Sequence, residues 1–207
     1  MKPLHAVASG LLPALCAACG RSCRPDALLC TRCTRRLADA EPLGGSGPPG
    51  LDRVWSSAAH EGVARDLVTA LKFRQLLPVA ELIAERIEWL APASLLSGAI
   101  VPVPTARLRT LARGFDPAAE VAAALAQRLD APLRPCLLRR GGGRQVGKRR
   151  AQRIGHPPRV STRGEVPRSV LLLDDVLTTG ATLSACARAL RSAGAIRVAA
   201  ITFTRRL

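Results

Sequence analysis

From Leu51 onward, short apolar runs alternate with stretches of helical period. DRVWSSAAH (52–60) reads as a strand. ARDLVTALKF (64–73) brings Leu67, Val68 and Leu71 to one helical face, and LPVAELIAERIEWLA (77–91) continues as a second helix with Pro78 in its first turn. GAIVPVP (98–104) is a short apolar strand ended by prolines. PAAEVAAALAQRL (117–129) is a helix opened by Pro117, and LRPCLL (133–138) a strand. SVLLLDD (169–175) and AIRVAAITF (195–203) are runs apolar at successive positions, the pattern of strands buried on both faces. Between them GATLSACARALRSAG (180–194) is a helix closed by Gly194. Such alternation predicts an α/β domain, a parallel sheet flanked by helices.

The residues before Leu51 follow another rule. Cys16, Cys19, Cys23, Cys30 and Cys33 crowd into one short segment, and EPLGGSGPPG (41–50) reads as a linker. Two CxxC pairs about ten residues apart have zinc-ribbon spacing, each pair offering two thiolates to one side of a tetrahedral Zn²⁺. The symmetry of the pairs favours Cys16, Cys19, Cys30 and Cys33, with Cys23 either a replacement for one of the four or a spare thiol; an odd total of seven cysteines disfavours a disulfide framework. Cys136 and Cys186 read as small core residues. The expected organisation is a zinc module at 1–40, a linker at 41–50 and the α/β domain at 51–207, with the metal supplying the module's folding energy.

Composition changes this picture in two respects. Aromatics are 2% of the 207 residues, so the core must be built from Ala, Leu, Val and Ile. The formal net charge is +16, mostly from arginine, which suits phosphate-bearing partners and also matches the Ala/Arg/Gly/Pro bias of the whole chain. No run is long enough to span a bilayer. The first eighteen residues imitate a secretory signal, but a proline interrupts the apolar stretch and cysteines stand where cleavage would fall, so a cytoplasmic location is expected.

The chemistry concentrates in LLLDDVLTTGAT (171–182). Asp174 and Asp175 stand at the carboxyl end of a buried strand, where ligands of parallel sheets bind. Thr178, Thr179, Gly180, Ala181 and Thr182 lead into a helix whose unpaired amides favour a phosphate. The carboxylates instead suit sugar hydroxyls or Mg²⁺. Two capping aspartates would be an alternative, but a cap needs one carboxylate and no TTGAT after it. One turn thus offers a phosphate cup beside a hydroxyl clamp, which fits a ribose 5-phosphate.

VLLLDDVLTTGAT (170–182) resembles the ribose-phosphate signature of type I phosphoribosyltransferases. The resemblance implies that Asp174 and Asp175 bind the ribose hydroxyls of 5-phosphoribosyl 1-diphosphate (PRPP), as catalytic residues, and that Thr178 to Thr182 hold its 5-phosphate. CAAC, CTRC, LVTALKF, VPVPTARLRTLARGFD, LLRR, RQVGKRRAQR and VLLLDDVLTTGAT, in that order, resemble the ComF-like branch, which joins a cysteine-rich zinc module to a phosphoribosyltransferase-type domain. That branch implies Mg²⁺ with PRPP and a role in DNA uptake and natural transformation, either by phosphoribosyl transfer or as a non-catalytic protein that binds PRPP or single-stranded DNA beside DNA-uptake and recombination proteins. It assigns Pro104, Thr105 and Ala106 to the turn that receives the diphosphate. Arg107, Arg109 and Arg113 are available to neutralise that charge, and Lys72 of LKF is a candidate phosphate contact. The chain departs from the branch at His60, where tyrosine is usual, at Asp116, where asparagine is usual, and at Arg153-Ile154-Gly155-His156, where RxxN is usual. GGRQVGK (142–148) has P-loop spacing, but Arg149 replaces the Ser or Thr that would hold Mg²⁺, so a basic flap over 139–156 is the better reading. His60 and His156 read as satisfied or surface residues.

Overall fold

The computed structural model describes residues 14–140 and 158–207. Its thirteen elements in these residues are α1 (Thr31–Ala38), β1 (Leu43–Gly45), β2 (Arg53–Ala59), α2 (Gly62–Arg74), α3 (Pro78–Leu90), β3 (Ala99–Pro102), α4 (Arg107–Arg113), α5 (Pro117–Arg128), β4 (Leu137–Arg140), β5 (Arg159–Thr162), β6 (Ser169–Leu177), α6 (Ala181–Ser192) and β7 (Arg197–Arg205). The sheet runs β1-β2-β7-β6-β3. Its four longer-range partners pair in parallel, and β1 is an antiparallel edge. Helices cover both faces, so the α/β architecture expected from the alternation is the one observed.

The double-faced burial of β6 and β7 explains their continuous apolar runs. Successive strand residues point to opposite faces. Leu171 and Leu173, with Ala199, Ile201 and Phe203, enter one core with α2, α3 and α5. Val170 and Leu172, with Val198 and Ala200, enter the other, under α6. The same alternation continues into the carboxylates. It sends Asp174 toward the α6 side and Asp175 toward α2.

Two segments differ from their expected form. Leu43–Gly45, within the stretch read as a linker, pairs with Ser56–Val54 and extends the sheet by a strand. The cysteine-rich segment is not a separate bead: Cys16, Ala17, Leu29, Cys33 and Leu37 share the apolar core of α2 and α3. Arg74 Nη1 donates to the Ala17 carbonyl (2.8 Å) and Arg86 Nη2 to the Ala40 carbonyl (2.6 Å), tying this segment to both helices. Of the basic flap read over 139–156, Arg139 and Arg140 belong to β4; residues 141–157, which hold the P-loop-like spacing and His156, lie outside the described residues. The hairpin β4–β5 brackets them. Among the described residues, no helix is long and apolar enough to cross a membrane.

Candidate functional site

The cleft begins where the sheet stops being complete. β3 pairs with β6 only as far as Pro102 opposite Leu173. Proline has no N–H for a ladder and fixes its own φ, so Pro102 and Pro104 end this edge. β6 runs on to Leu177 against β7 alone. Beyond Leu173, the β3 side of β6 is therefore open, and Asp174 and Asp175 stand at the opening. The resulting cleft holds about 610 Å³, and its walls include Asp174, Asp175, Thr178, Thr182, Pro104, Thr105 and Ala106. The structure thus brings together the carboxylate pair, part of the threonine bend and the 104–106 turn. Thr179, Gly180 and Ala181 complete the bend at the start of α6.

Asp175 is buried and accepts from Lys72 Nζ at 2.6 Å. Lys72 comes from α2, on the sheet face to which Asp175 points. Its ammonium thus reaches a carboxylate of the candidate site and pairs with it directly. Asp174 is half-buried, and its Oδ1 accepts the Asp175 N–H at 2.8 Å. Burial, and then the charge of Asp175, push the Asp174 carboxyl well above the usual carboxylate range, against the smaller pull of that N–H and of Lys72. The pair is therefore asymmetric: Asp175 is matched by a cation, while Asp174 is held toward its neutral form.

The bend enters α6 through Gly180, at φ 73°. An L side chain is strained there, and a Cβ would meet Pro48 Cγ at 2.4 Å. A proline of the 41–50 stretch thus packs against the bend. Thr179 Oγ1 accepts the Ala181 N–H at 3.4 Å. The first-turn amides of α6 have no intrahelical carbonyl to bind, and the helix dipole adds partial positive charge.

The 104–106 turn is organised by Asp116, whose role the sequence reading missed. Asp116 caps α5, its Oδ1 accepting the Ala118 N–H (3.1 Å). The same oxygen accepts the Thr105 hydroxyl (2.9 Å), and Oδ2 accepts the Thr105 N–H (3.1 Å). Two donors that this turn would offer an anion, the Thr105 N–H and hydroxyl, are therefore already engaged by a carboxylate. An aspartate before Pro117 was a legible cap signal; its reach back to Thr105 was not.

Arginines surround the opening. Arg65, Arg113, Arg139 and Arg206 line the cleft. Arg107 and Arg109 lie on α4, and their side chains are outside the described residues. His60 also lines the cleft, with Nδ1 2.8 Å from Thr204 Oγ1. Burial, then Arg206, Lys72 and Arg65, hold its imidazole toward the neutral form.

The second site lies at the amino-terminal end. The sulfurs of Cys16, Cys19, Cys30 and Cys33 all lie within 4.8 Å of one another, and Cys19 and Cys30 are 3.7 Å apart. A tetrahedral zinc with Zn–S near 2.3 Å spaces its sulfurs about 3.8 Å apart, so the donor set is compatible with structural zinc. Cys23 stands outside this cluster, its thiol directed at the carbonyls of Ala14 (3.5 Å) and Ala27 (3.3 Å). Burial, then the neighbouring thiolates, raise its pKa.

Comparison with known proteins finds a likeness in the carboxyl-terminal part of the chain. Residues 113–207 match the family model "Phosphoribosyl transferase domain". The matched span includes Asp116, both site carboxylates and the threonine bend, and excludes Lys72 and the 104–106 turn. Solved structures similar to the chain include "structure of the allosteric regulatory enzyme of purine biosynthesis" (18% identity, TM-score 0.40), over 59% of this chain and 24% of that one. Another is the orotate phosphoribosyltransferase from Aeropyrum pernix (23% identity, TM-score 0.36), over 82% of this chain and 78% of that one. The chain thus spans about a quarter of the length of the first of these. No curated protein sequence matches it.

Proposed function

We propose that this protein binds PRPP in the cleft between β6, α6 and the 104–106 turn, and that it is built for phosphoribosyl transfer. The observation that carries the reading is the convergence of the carboxylate pair, Thr178, Thr182 and the 104–106 turn on one cleft. Asp174 and Asp175 accept the ribose hydroxyls. The bend from Thr178 to Thr182, with the first-turn amides of α6, holds the 5-phosphate. Pro104, Thr105 and Ala106 face the diphosphate, and Arg113 of α4 lines the same cleft. Mg²⁺, arriving with PRPP, would offset diphosphate charge. Displacement at C1 places positive charge on the sugar, which the two carboxylates stabilise.

Titration calorimetry of PRPP with Mg²⁺ tests the ligand. Ionised Asp174 accepts hydroxyls on both oxygens and more strongly than the neutral acid, so bound ribose favours the ionised form, while the free protein holds its carboxyl high. Below that raised pKa, binding is therefore expected to release a proton, and affinity to rise with pH until the raised pKa is passed. Runs in buffers of different ionisation enthalpy count that proton, and Asp174→Asn should remove it. Absence of binding by the wild type refutes the ligand assignment. Binding with no Asp174-dependent proton removes Asp174 as a hydroxyl acceptor.

Asp116 supplies a second prediction. In Asp116→Asn the remaining Oδ1 can still accept the Ala118 N–H and the Thr105 hydroxyl. The amide nitrogen cannot accept the Thr105 N–H, which becomes available to the diphosphate, and one negative charge near Asp174 is gone. PRPP affinity should rise about three- to tenfold, an effect of ~1 kcal/mol. Ribose 5-phosphate, which has no diphosphate, should gain little. Weaker PRPP binding by this variant would mean that the turn needs its Asp116 tether more than a free amide.

A further inference from the structure

We infer that His60 is the proton acceptor of the transfer, its Nε2 taking the proton that the incoming nucleophile loses at C1. This role rests on the PRPP reading of the same cleft and supplies the base which that reading lacks.

Transfer to an N–H or O–H nucleophile forms a new bond at C1 and breaks the C1–O bond to diphosphate, which leaves with the electron pair. One proton is freed from the nucleophile, and a group in the cleft must take it. The arginines of the wall stay protonated. Lys72 is committed as a cation to Asp175 at 2.6 Å, and the two carboxylates are assigned to the ribose hydroxyls. Among the described residues of the wall, His60 is what remains to take up a proton near neutral pH. It is also a position at which the chain departs from the branch it resembles.

Backbone and ring of His60 are both fixed. Its N–H donates to the Arg205 carbonyl (2.7 Å), and Nδ1 lies 2.8 Å from Thr204 Oγ1. Thr204 is fully buried, and its hydroxyl donates to the Asp175 carbonyl (3.4 Å), so it accepts from Nδ1–H. That tautomer leaves the lone pair on Nε2, which has no partner among the described residues. The surrounding charges agree. Arg206, beyond β7, and Lys72 and Arg65 of α2 act on the ring, with Arg65 itself paired to Asp66 and with Asp175 of β6 opposing them. Glu61, next in the chain, is exposed. Beside these cations a lone pair is favoured over an N–H. Burial and the same cations keep the imidazole neutral, ready to accept. The phosphates of bound PRPP then offset the cations and stabilise the imidazolium as it forms.

Diphosphate release from PRPP and Mg²⁺ by the full chain tests this with water as the nucleophile, the products being ribose 5-phosphate and diphosphate. His60→Gln should lower kcat about a hundredfold and leave PRPP affinity, measured by calorimetry, unchanged. Imidazole added to His60→Ala should restore turnover in proportion to its free-base form, which a merely structural role would not produce. A second readout needs no turnover. ¹⁵N NMR, with His60 assigned by its loss in His60→Gln, should show the Nδ1–H tautomer, and Thr204→Val should abolish that preference. An Nε2–H tautomer, wild-type turnover by His60→Gln, absence of imidazole rescue, or no diphosphate release by a wild type that binds PRPP each overturns the role of His60 and leaves the PRPP site standing. If PRPP itself fails to bind, the sugar reading falls and the base with it.

Discussion

Asp175→Asn is expected to weaken PRPP binding on the order of a hundredfold, the loss of a charged hydrogen-bond acceptor to a ligand hydroxyl. The same change strands a cation. Lys72 and Asp175 are paired at 2.6 Å with side chains only 19% and 11% exposed. Breaking a fully buried pair from one side costs ~3–5 kcal/mol, and partial exposure here lowers the expectation to about 2–3 kcal/mol of stability. A drop in binding could therefore be confused with a drop in folded fraction. The double variant Lys72→Met, Asp175→Asn separates the two. It removes the stranded ammonium and should recover much of the stability, while PRPP binding stays lost. Calorimetry on both variants, with thermal denaturation beside it, reads out the difference. Binding by Asp175→Asn at the wild-type level would remove Asp175 from the ribose site; recovery of binding in the double variant would recast the pair as purely structural.

The parts of this molecule that were legible in its sequence are those set by local period or local spacing. β6 and β7 are apolar at successive positions because both faces are buried, and that run is visible without any structure. Likewise, the two CxxC pairs converge as their symmetry implied, and the odd cysteine turns away to backbone carbonyls. What escaped is decided by tertiary partners. β1 is Leu-Gly-Gly, without strand propensity of its own, and exists because β2 offers a free edge. α4 follows a proline-rich stretch that reads as a turn; only Gly114, at φ 80°, marks where that helix ends. Pro135 inside LRPCLL delays the strand to Leu137–Arg140. The Lys72–Asp175 pair joins residues 103 apart, and the Thr105–Asp116 contact closes a loop around a helix. Their only sequence traces are a lysine in a lysine-poor chain and an aspartate before a proline. The carboxylates and hydroxyls of this cleft are thus written in the strand-end motif, while its electrostatic balance is written in contacts that only folding creates.

The other large effect is expected at the cysteine cluster. Structural zinc sites of this donor type are worth about 10–16 kcal/mol to the folding of small modules. Here the module also packs on the main core, through Cys16, Ala17, Leu29, Cys33 and Leu37. Losing the metal should therefore loosen more than the knuckles. The anchors from Arg74 to the Ala17 carbonyl and from Arg86 to the Ala40 carbonyl depend on the segment staying in place. Arg74 lies two residues beyond Lys72, so the loss extends to the end of α2 that borders the cleft. Purified protein is expected to carry about one zinc per chain. Cys30→Ser should lose it and lower the melting temperature by about 10 °C or more. Cys23→Ala removes a thiol that faces the Ala14 and Ala27 carbonyls and packs at the margin of the core. It should keep the metal and cost ~1 kcal/mol or less, about 4 °C at most. Elemental analysis and thermal denaturation of the two variants decide the matter. Zinc retained by Cys30→Ser, or lost from Cys23→Ala, would mean that the ligand set is not Cys16, Cys19, Cys30 and Cys33.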